Sequence, residues 1–580
     1  MAVINEVKYG VRRTFIILLS IWIGNKKPPR DVFMDGPIAS LKKIEKDGFL
    51  VKGKQYKLKV LVITVDTIAR SGMGNTTQCN GNCGCDFCLH PGEQVPKGRG
   101  SVRVYPQPDP ELDEANDREH ITYPLRTLEQ HLRDVNLAVS SGTRVNGIIG
   151  PNPFMKLPEF DFVKALVPEY LHSCCHGSFK LYVDLLTSKV GGNGKKEWFV
   201  GGKMAVINAR LKLTRPPYIK NRTIECLDNL TDWKASTYRT FTLYFFPILE
   251  DILPSKYFIH YSSLSYGVYL LLQNRVSREN VLNAKILFER IVIDMEKLYG
   301  KQYISINIHF FIHLCQAVLD WGCLWSTSTF IPEWVNGDIM SMSSGTQHVA
   351  EQMAVNYFIK QAVRDEALQL IKRENLPPQV VSLFCELLHL PAQRDLSKGL
   401  TLNGNKVTVL GKPVDRRELT LFEEIAIRNS SSSLRNQLLG ANDSIVANFY
   451  SRFRITETRS IFTTVSYNRS PKRANYFAFI EDGNFIQIEN ILTTEIGSKT
   501  RAFILGKKLG AQSKKNYVPL PINDTIFPPI PGHTSKLVGI SKELIAYDPT
   551  CIKAKGVVSV MNSLTETFIV TAIVNSFETD

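Results

Sequence analysis

Leu58-Lys-Val-Leu-Val-Ile-Thr-Val-Asp66 is a run of aliphatic, largely β-branched residues that ends on a carboxylate. After a short Gly-rich loop comes Cys85-Asp-Phe-Cys88-Leu-His-Pro-Gly92. The first run predicts a buried strand that delivers Asp66 to a sheet edge, where an acid can hold a cation. Taken alone, an Asp at a strand end is more often a turn or cap residue. The CxxC predicts half of a metal site, because two thiolates three positions apart in a tight turn can close on one zinc. Cys79 and Cys83 lie close by and leave the choice of thiols open, and a half-site needs two more ligands.

Upstream, Phe15-Ile-Ile-Leu-Leu-Ser-Ile-Trp-Ile-Gly24 follows Arg12-Arg13 as a signal peptide would. No small-x-small cleavage site follows it, and it is too short to span a bilayer, so it reads as a buried strand. Residues 35–46 carry apolar residues at helical spacing. Strand, helix and strand in succession predict an α/β sheet. Residues 94–118, rich in Pro, Gly and charge, read as a loop, and residues 123–140 as a helix beginning near Pro124.

Val167-Pro-Glu169-Tyr-Leu-His172 places an acid and an imidazole three residues apart, and Gly191-Gly192-Asn-Gly194-Lys195-Lys196 reads as an exposed loop. From about 205 to 371 the pattern is mainly helical, with helices at 233–241, 257–273 and 278–299. Ile306-Asn-Ile-His309-Phe-Phe-Ile-His313 puts two imidazoles at i and i+4 on one helical face. Such a pair is more often a set of satisfied core histidines than a ligand pair. Pro332-Glu333-Trp-Val-Asn-Gly337 opens a long helix with a break near Gly345 that runs towards Arg373, and Leu376-Pro-Pro378 stops it. A Glu in a first turn is explained by the helix dipole alone. From about 398 onward short alternating runs, at 407–410, 461–467, 476–480, 485–491 and 568–574, predict a β-rich domain.

The chain of 580 residues is too long for one core, and 44% hydrophobic with 22% charged residues is the composition of a folded globular protein. A net charge of +15 favours an anionic partner such as nucleic acid or an acidic membrane face. Eleven Cys, odd in number and clustered only near residue 80, argue against a disulfide scaffold. Residues 451–515 hold twelve Lys and Arg against five Asp and Glu, interleaved with Tyr450, Phe453, Tyr467, Tyr476 and Phe477. Basic residues among aromatics can track a phosphate backbone, and an ordinary solvated basic face accounts for them equally well.

The order of these weak signals is more specific than any one of them. Asp66, the CxxC nineteen residues on, Glu169/His172, His309/His313, and Glu333 twenty residues further resemble the Tnp2-type transposases of the CACTA (En/Spm) superfamily. Val65-Asp66-Thr-Ile-Ala-Arg70, Gly84 to Gly92, Val167 to His172, Trp233-Lys-Ala-Ser, Trp321-Gly-Cys-Leu-Trp325 and Glu333-Trp-Val-Asn-Gly337 carry the likeness, which spans about residues 10–375.

The resemblance implies an α/β fold with an RNase H-like core, interrupted by a large all-α insertion and followed by a β-rich C-terminal domain. The expected segments are 1–190 for the first part of the core with the CxxC, 191–300 for the insertion, 301–395 for the return helices and end of the core, and 396–580 for the basic β-rich domain. It implies DDE-type strand cleavage and transfer, in which clustered acids hold two Mg²⁺ or Mn²⁺ that stabilise both oxygens of an in-line displacement. Asp66 matches the second acid and Glu333 the third, while Glu169 and His172 fall in the acid-x-x-His block. Related recombinases tie a CxxC to a His pair through zinc, so Cys85, Cys88, His309 and His313 are the expected structural zinc ligands. Thiolate and imidazole suit zinc and carboxylate suits magnesium.

Two departures qualify this expectation. The strand bearing the family's first Asp would lie upstream of the first residue, and Asp31, Asp35 and Asp47 match no acid motif. Glu169 stands where the family usually carries Asp. The reading is therefore an N-terminally truncated or domesticated transposase-derived protein, impaired in catalysis and retaining binding to double-stranded DNA. Nuclear location and a homo-oligomer are expected with it, and a membrane partner is not. A fragment of an active transposase, a protein-binding scaffold and another RNase H-like nuclease are the alternatives.

Overall fold

The 278–299 stretch shows how the sequence encodes its helices. Ser277 caps the Arg278–Tyr299 helix by accepting from the Asn280 amide at 3.1 Å, Glu279 lies in the first turn, Lys297 in the last, and Gly300 ends it at φ 109°. Val281, Ala284, Leu287, Phe288, Ile291, Val292 and Met295 form its buried face at spacings of three and four. The structure is a computed structural model that describes residues 1–3, 16–109, 123–189, 194–217, 224–373, 376–387, 399–430, 445–458, 460–467, 472–496, 499–510, 514–516, 534–562 and 566–574.

The fold is mixed α/β, mainly helical before residue 390 and β-rich after it. The chain divides into two units, Met1–Leu181 with Tyr266–Arg394, and Tyr182–Ser265 with Asp395–Asp580. One boundary between the units falls near 395. The helical stretch, however, is shared, with residues 182–265 in the second unit and the chain from Tyr266 in the first. Helical periodicity says that a face is buried but not against which core.

In the first unit, Met34 and Ile38 of the Arg30–Asp47 helix pack on Phe154, Leu157, Phe160, Phe162, Val163 and Ala165. The expected helix at 123–140 begins later, at Leu128, where the Thr127 side chain accepts from the Gln130 amide. The long helix after Pro332 forms as two, Phe330–Met340 and Val349–Arg373, broken around Gly345 as the sequence indicates.

Three expectations fail in this unit. The 58–66 run is extended, but its only ladder contact among the described residues is one parallel bridge from Ile63 to Leu166. It is half-buried, with Leu61 43% exposed, so Asp66 stands before a helix rather than at a sheet edge. β-branched composition favours extended backbone, whereas a strand also needs a neighbour to pair with along its length. In the 15–24 run only Ile16–Ile17 forms a strand, paired with Ala2–Val3, and Ile16, Leu18 and Ile21 instead pack against the Phe330–Met340 and Val349–Arg373 helices. Phe15 and the Arg12-Arg13 pair lie outside the described residues. The expected loop from 94 holds a hairpin, Glu93–Lys97 with Gly100–Val104, and its part from 110 to 118 is also outside them. Gly194 to Lys196 are exposed as expected, and 191–193 are not among the described residues.

The second unit is dominated by a ten-stranded antiparallel sheet. Its longest strand, Phe485–Ile496, has a register shift between Ile488 and Asn490. Before the shift it pairs with Phe477–Ile480, after it with Val446–Tyr450, and along most of its length with Lys499–Lys508. A bulge bends a strand, which lets one strand serve two neighbours in succession on the same edge. A four-stranded sheet, including Val407–Leu410 and Arg452–Ile455, shares a core with it through Val407, Val409, Phe453, Ile486 and Ile504. The Met204–Leu213 helix joins this unit, with Arg215 bridging Val558 and the Thr214 and Ser559 hydroxyls 2.9 Å apart. Tyr450, Phe453 and Phe477 are buried in these cores, so they cannot act as base-stacking platforms.

Candidate metal centre

Cys85 and Cys88 lie on a tight turn whose geometry is fixed by its neighbours. A Cβ at Gly84 would come within 2.4 Å of the Gln78 carbonyl and 2.7 Å of the Tyr105 hydroxyl, so only glycine fits there. The Arg126 guanidinium donates to the Cys85 and Cys83 carbonyls at 2.9 and 3.0 Å, and the Phe87 amide donates to Cys85 Sγ at 3.5 Å. Facing this turn, His309 ends the Ile306–His309 helical turn and His313 lies in the Phe311–Trp321 helix. Tyr105, which follows the 93–104 hairpin, hydrogen-bonds through its amide to Ile304 just ahead of the first histidine.

The four side chains converge. Cys85 Sγ is 3.5 Å from His313 Nε2, Cys88 Sγ is 3.3 Å from His309 Nε2, and the two Nε2 atoms are 3.2 Å apart. All four residues are buried, and their donor atoms lie within 4.8 Å of one another. Bonds of about 2.3 Å to sulfur and about 2.0 Å to nitrogen in a tetrahedron require S···N edges of about 3.5 Å and an N···N edge of about 3.3 Å. The observed spacings are those edges, and the group can bind a metal such as zinc. The choice among four thiols, open on sequence alone, falls on Cys85 and Cys88.

Burial and hydrogen bonding act unevenly on the four groups. Burial holds the His313 imidazole below its ordinary pKa, leaving it neutral with a lone pair to give. The hydrogen bond between the two thiols lowers Cys88, while burial raises Cys85. Beside the group, His90 is fixed as the Nε2–H tautomer. Its Nε2 donates to the Pro106 carbonyl and its Nδ1 accepts from the Gly92 amide, both at 2.8 Å. Burial pushes its pKa down to about 4.

The acids are arranged differently. Asp66 caps the Thr67–Gly74 helix and accepts from the Ala69 amide at 2.6 Å. Glu169 is fully buried and its carboxylate is saturated. One oxygen accepts from the Leu171 and Thr329 amides at 2.7 and 2.8 Å, the other from the His172 amide and Nδ1, both at 2.8 Å. His172 Nε2 then lies 2.9 Å from Glu333 Oε1. Burial disfavours the imidazolium, but the Glu169 hydrogen bond and the charges of Glu169, Glu333 and Asp66 together raise the His172 pKa. Glu169, His172 and Glu333 are thus linked through one imidazole, and the charge of Asp66 also acts on it. Glu169 has no free lone pair for a metal and acts as a clamp between the turn at 169–172 and the start of the Phe330–Met340 helix. Among the described residues the Cys/His group is the one set of three or more potential metal donors that converges.

Sequence reading missed Arg126 and Thr329, which carry no local motif, and gave no role to Arg70, although its spacing of four from Asp66 puts both on one helix. No protein-family model matches the chain, and no curated protein matches it.

Proposed function

We propose that this chain is a transposase-like DNA-binding protein of CACTA, Tnp2-type ancestry, with an RNase H-like core stapled by zinc and with impaired strand-cleavage chemistry. The observation that carries the reading is the Cys/His centre. It joins side chains 228 and 221 residues apart in sequence, one half nineteen residues after Asp66 and the other twenty before Glu333, the order the resemblance implies. Zinc, when bound at Cys85, Cys88, His309 and His313, supplies a rigid tetrahedral cross-link rather than a reactive site, because all four positions are taken by protein.

Asp66 and Glu333 are the carboxylates this reading assigns to Mg²⁺ or Mn²⁺. Their present engagements support impairment. Glu169 is spent on four hydrogen bonds, while Asp66 gives one oxygen to a helix cap and Glu333 one oxygen to His172, so the three acids do not present their oxygens together as hard ligands. Two-metal cleavage needs several such oxygens at one place. DNA is then held by Lys and Arg through phosphates rather than by stacked bases, with the core aromatics buried, and the protein acts in the nucleus.

The test is binding of a labelled duplex followed by fluorescence anisotropy across a salt series. Affinity should fall at least ten-fold between about 50 and 200 mM salt. Bound zinc without measurable DNA affinity at low salt would instead favour a protein-binding scaffold.

A further inference from the structure

Arg70 is 1% exposed, and its Nε and Nη1 make no hydrogen bond. A buried cation with idle N–H groups is tolerated only where charges and aromatic faces replace water. Both are present. The guanidinium carbon lies 5.1 Å from the centre of the Phe87 ring and 5.0 Å from that of Phe310. Asp86 Oδ2 is 3.8 Å from Nη1, and its other oxygen accepts from the Thr76 hydroxyl at 2.8 Å. Burial lowers the Arg70 pKa, and Asp86, Cys85, Glu169 and Asp66 oppose that shift and keep the charge.

The two walls of this slot come from the two halves of the metal centre. Phe87 lies between Cys85 and Cys88, and Phe310 follows His309. The rings also meet edge to face at 5.4 Å. Arg70 itself is on the Thr67–Gly74 helix, its amide bonded to the Asp66 carbonyl at 2.8 Å, and Asp66 caps that helix. We infer that Arg70 is a positioning residue that couples metal loading of the Cys/His centre to the placement of Asp66, an inference that rests on the zinc reading above. A bound metal fixes the halves, the halves fix the slot, and the slot holds the helix that carries the acid. Without metal the slot is held by packing alone and the helix loses its anchor.

The experiment is hydrogen exchange at the amides of residues 67–74 in the full chain, with zinc content measured on the same samples. Ala69 is the reporter, since its N–H is held by Asp66. Chelation of the wild type should speed exchange there about ten-fold or more. Arg70→Met should keep its zinc and show the same acceleration. Arg70→Lys, which retains charge without a planar face, should exchange at a rate between those of zinc-loaded wild type and Arg70→Met. Wild-type protection in zinc-loaded Arg70→Met, or protection unchanged by chelation, overturns the coupling. A wild type that binds no zinc overturns the zinc reading and the coupling with it. Should Arg70→Met fail to fold, Phe310→Leu removes one wall and leaves the cation. Zinc retained with fast Ala69 exchange then supports the coupling, and zinc retained with slow exchange overturns it.

Discussion

At the scale of single residues, Glu169 is the side chain whose role the structure changes most. A carboxylate that accepts four N–H groups without exposure is held by its charge, and Glu169→Gln turns one acceptor into a donor facing donors. The substitution should cost about 3 kcal/mol in urea unfolding. It should also return the His172 pKa, followed by imidazole NMR, towards its ordinary value, because the first of the favourable interactions that raise it is the Glu169 hydrogen bond. Lys555 gives a pH signature of the opposite kind. It is 4% exposed, donates to Asn475 Oδ1 at 2.7 Å, and burial lowers its pKa to about 7. The fold therefore prefers the neutral amine. Stability of the second unit falls as pH drops from the unfolded lysine's range, about 10.4, to about 7, and is flat below that. Lys555→Met should be more stable than the wild type by about 1–2 kcal/mol at pH 7, with the difference shrinking by pH 10. A difference independent of pH would show that Lys555 is not held neutral.

At the scale of elements, the Leu171–Phe179 helical segment packs closely against the first histidine helix. A Cβ on Gly177 would come within 2.9 Å of Asn307 Cβ and closer still to its amide, and Ser178 Oγ donates to the Asn307 carbonyl at 3.1 Å. Gly177→Ala should push the Ile306–His309 turn away and weaken zinc affinity about ten-fold in a chelator competition. Gly72→Ala, with open space around it, should instead stabilise its helix by about 0.5–1 kcal/mol.

The same comparison shows what the sequence could convey. Cys85/Cys88 and His309/His313 were legible because each half-site is local, a turn or one helical face. Arg126, 41 residues from Cys85, and Thr329, 160 from Glu169, were not, because their contacts exist only after folding. The 278–299 helix was legible from its helical pattern, and its cap and its glycine mark the same ends. The 58–66 run was misread as a strand because composition reports a preference for extended backbone, not the presence of neighbours.

At the scale of the whole molecule, the metal ligands all belong to the first of the two units. Chelation should therefore lower the melting of that unit by about 10 °C or more while leaving the β-rich unit unchanged, two transitions resolved by calorimetry. A single transition unaffected by chelator would deny the centre its structural role. The shared helical stretch, with 182–265 in the second unit, also means that truncation at 395 exposes core surface of that unit, and the β-rich part alone should not fold as the intact unit does. On the function proposed above, a metal-stapled core holds DNA without cutting it. The most direct measurement is a gel of labelled duplex incubated with the zinc-loaded chain and Mn²⁺, beside Asp66→Ala. A salt-sensitive retarded band and no nicking by either protein are expected. Nicking by the wild type that disappears in Asp66→Ala would contradict that function.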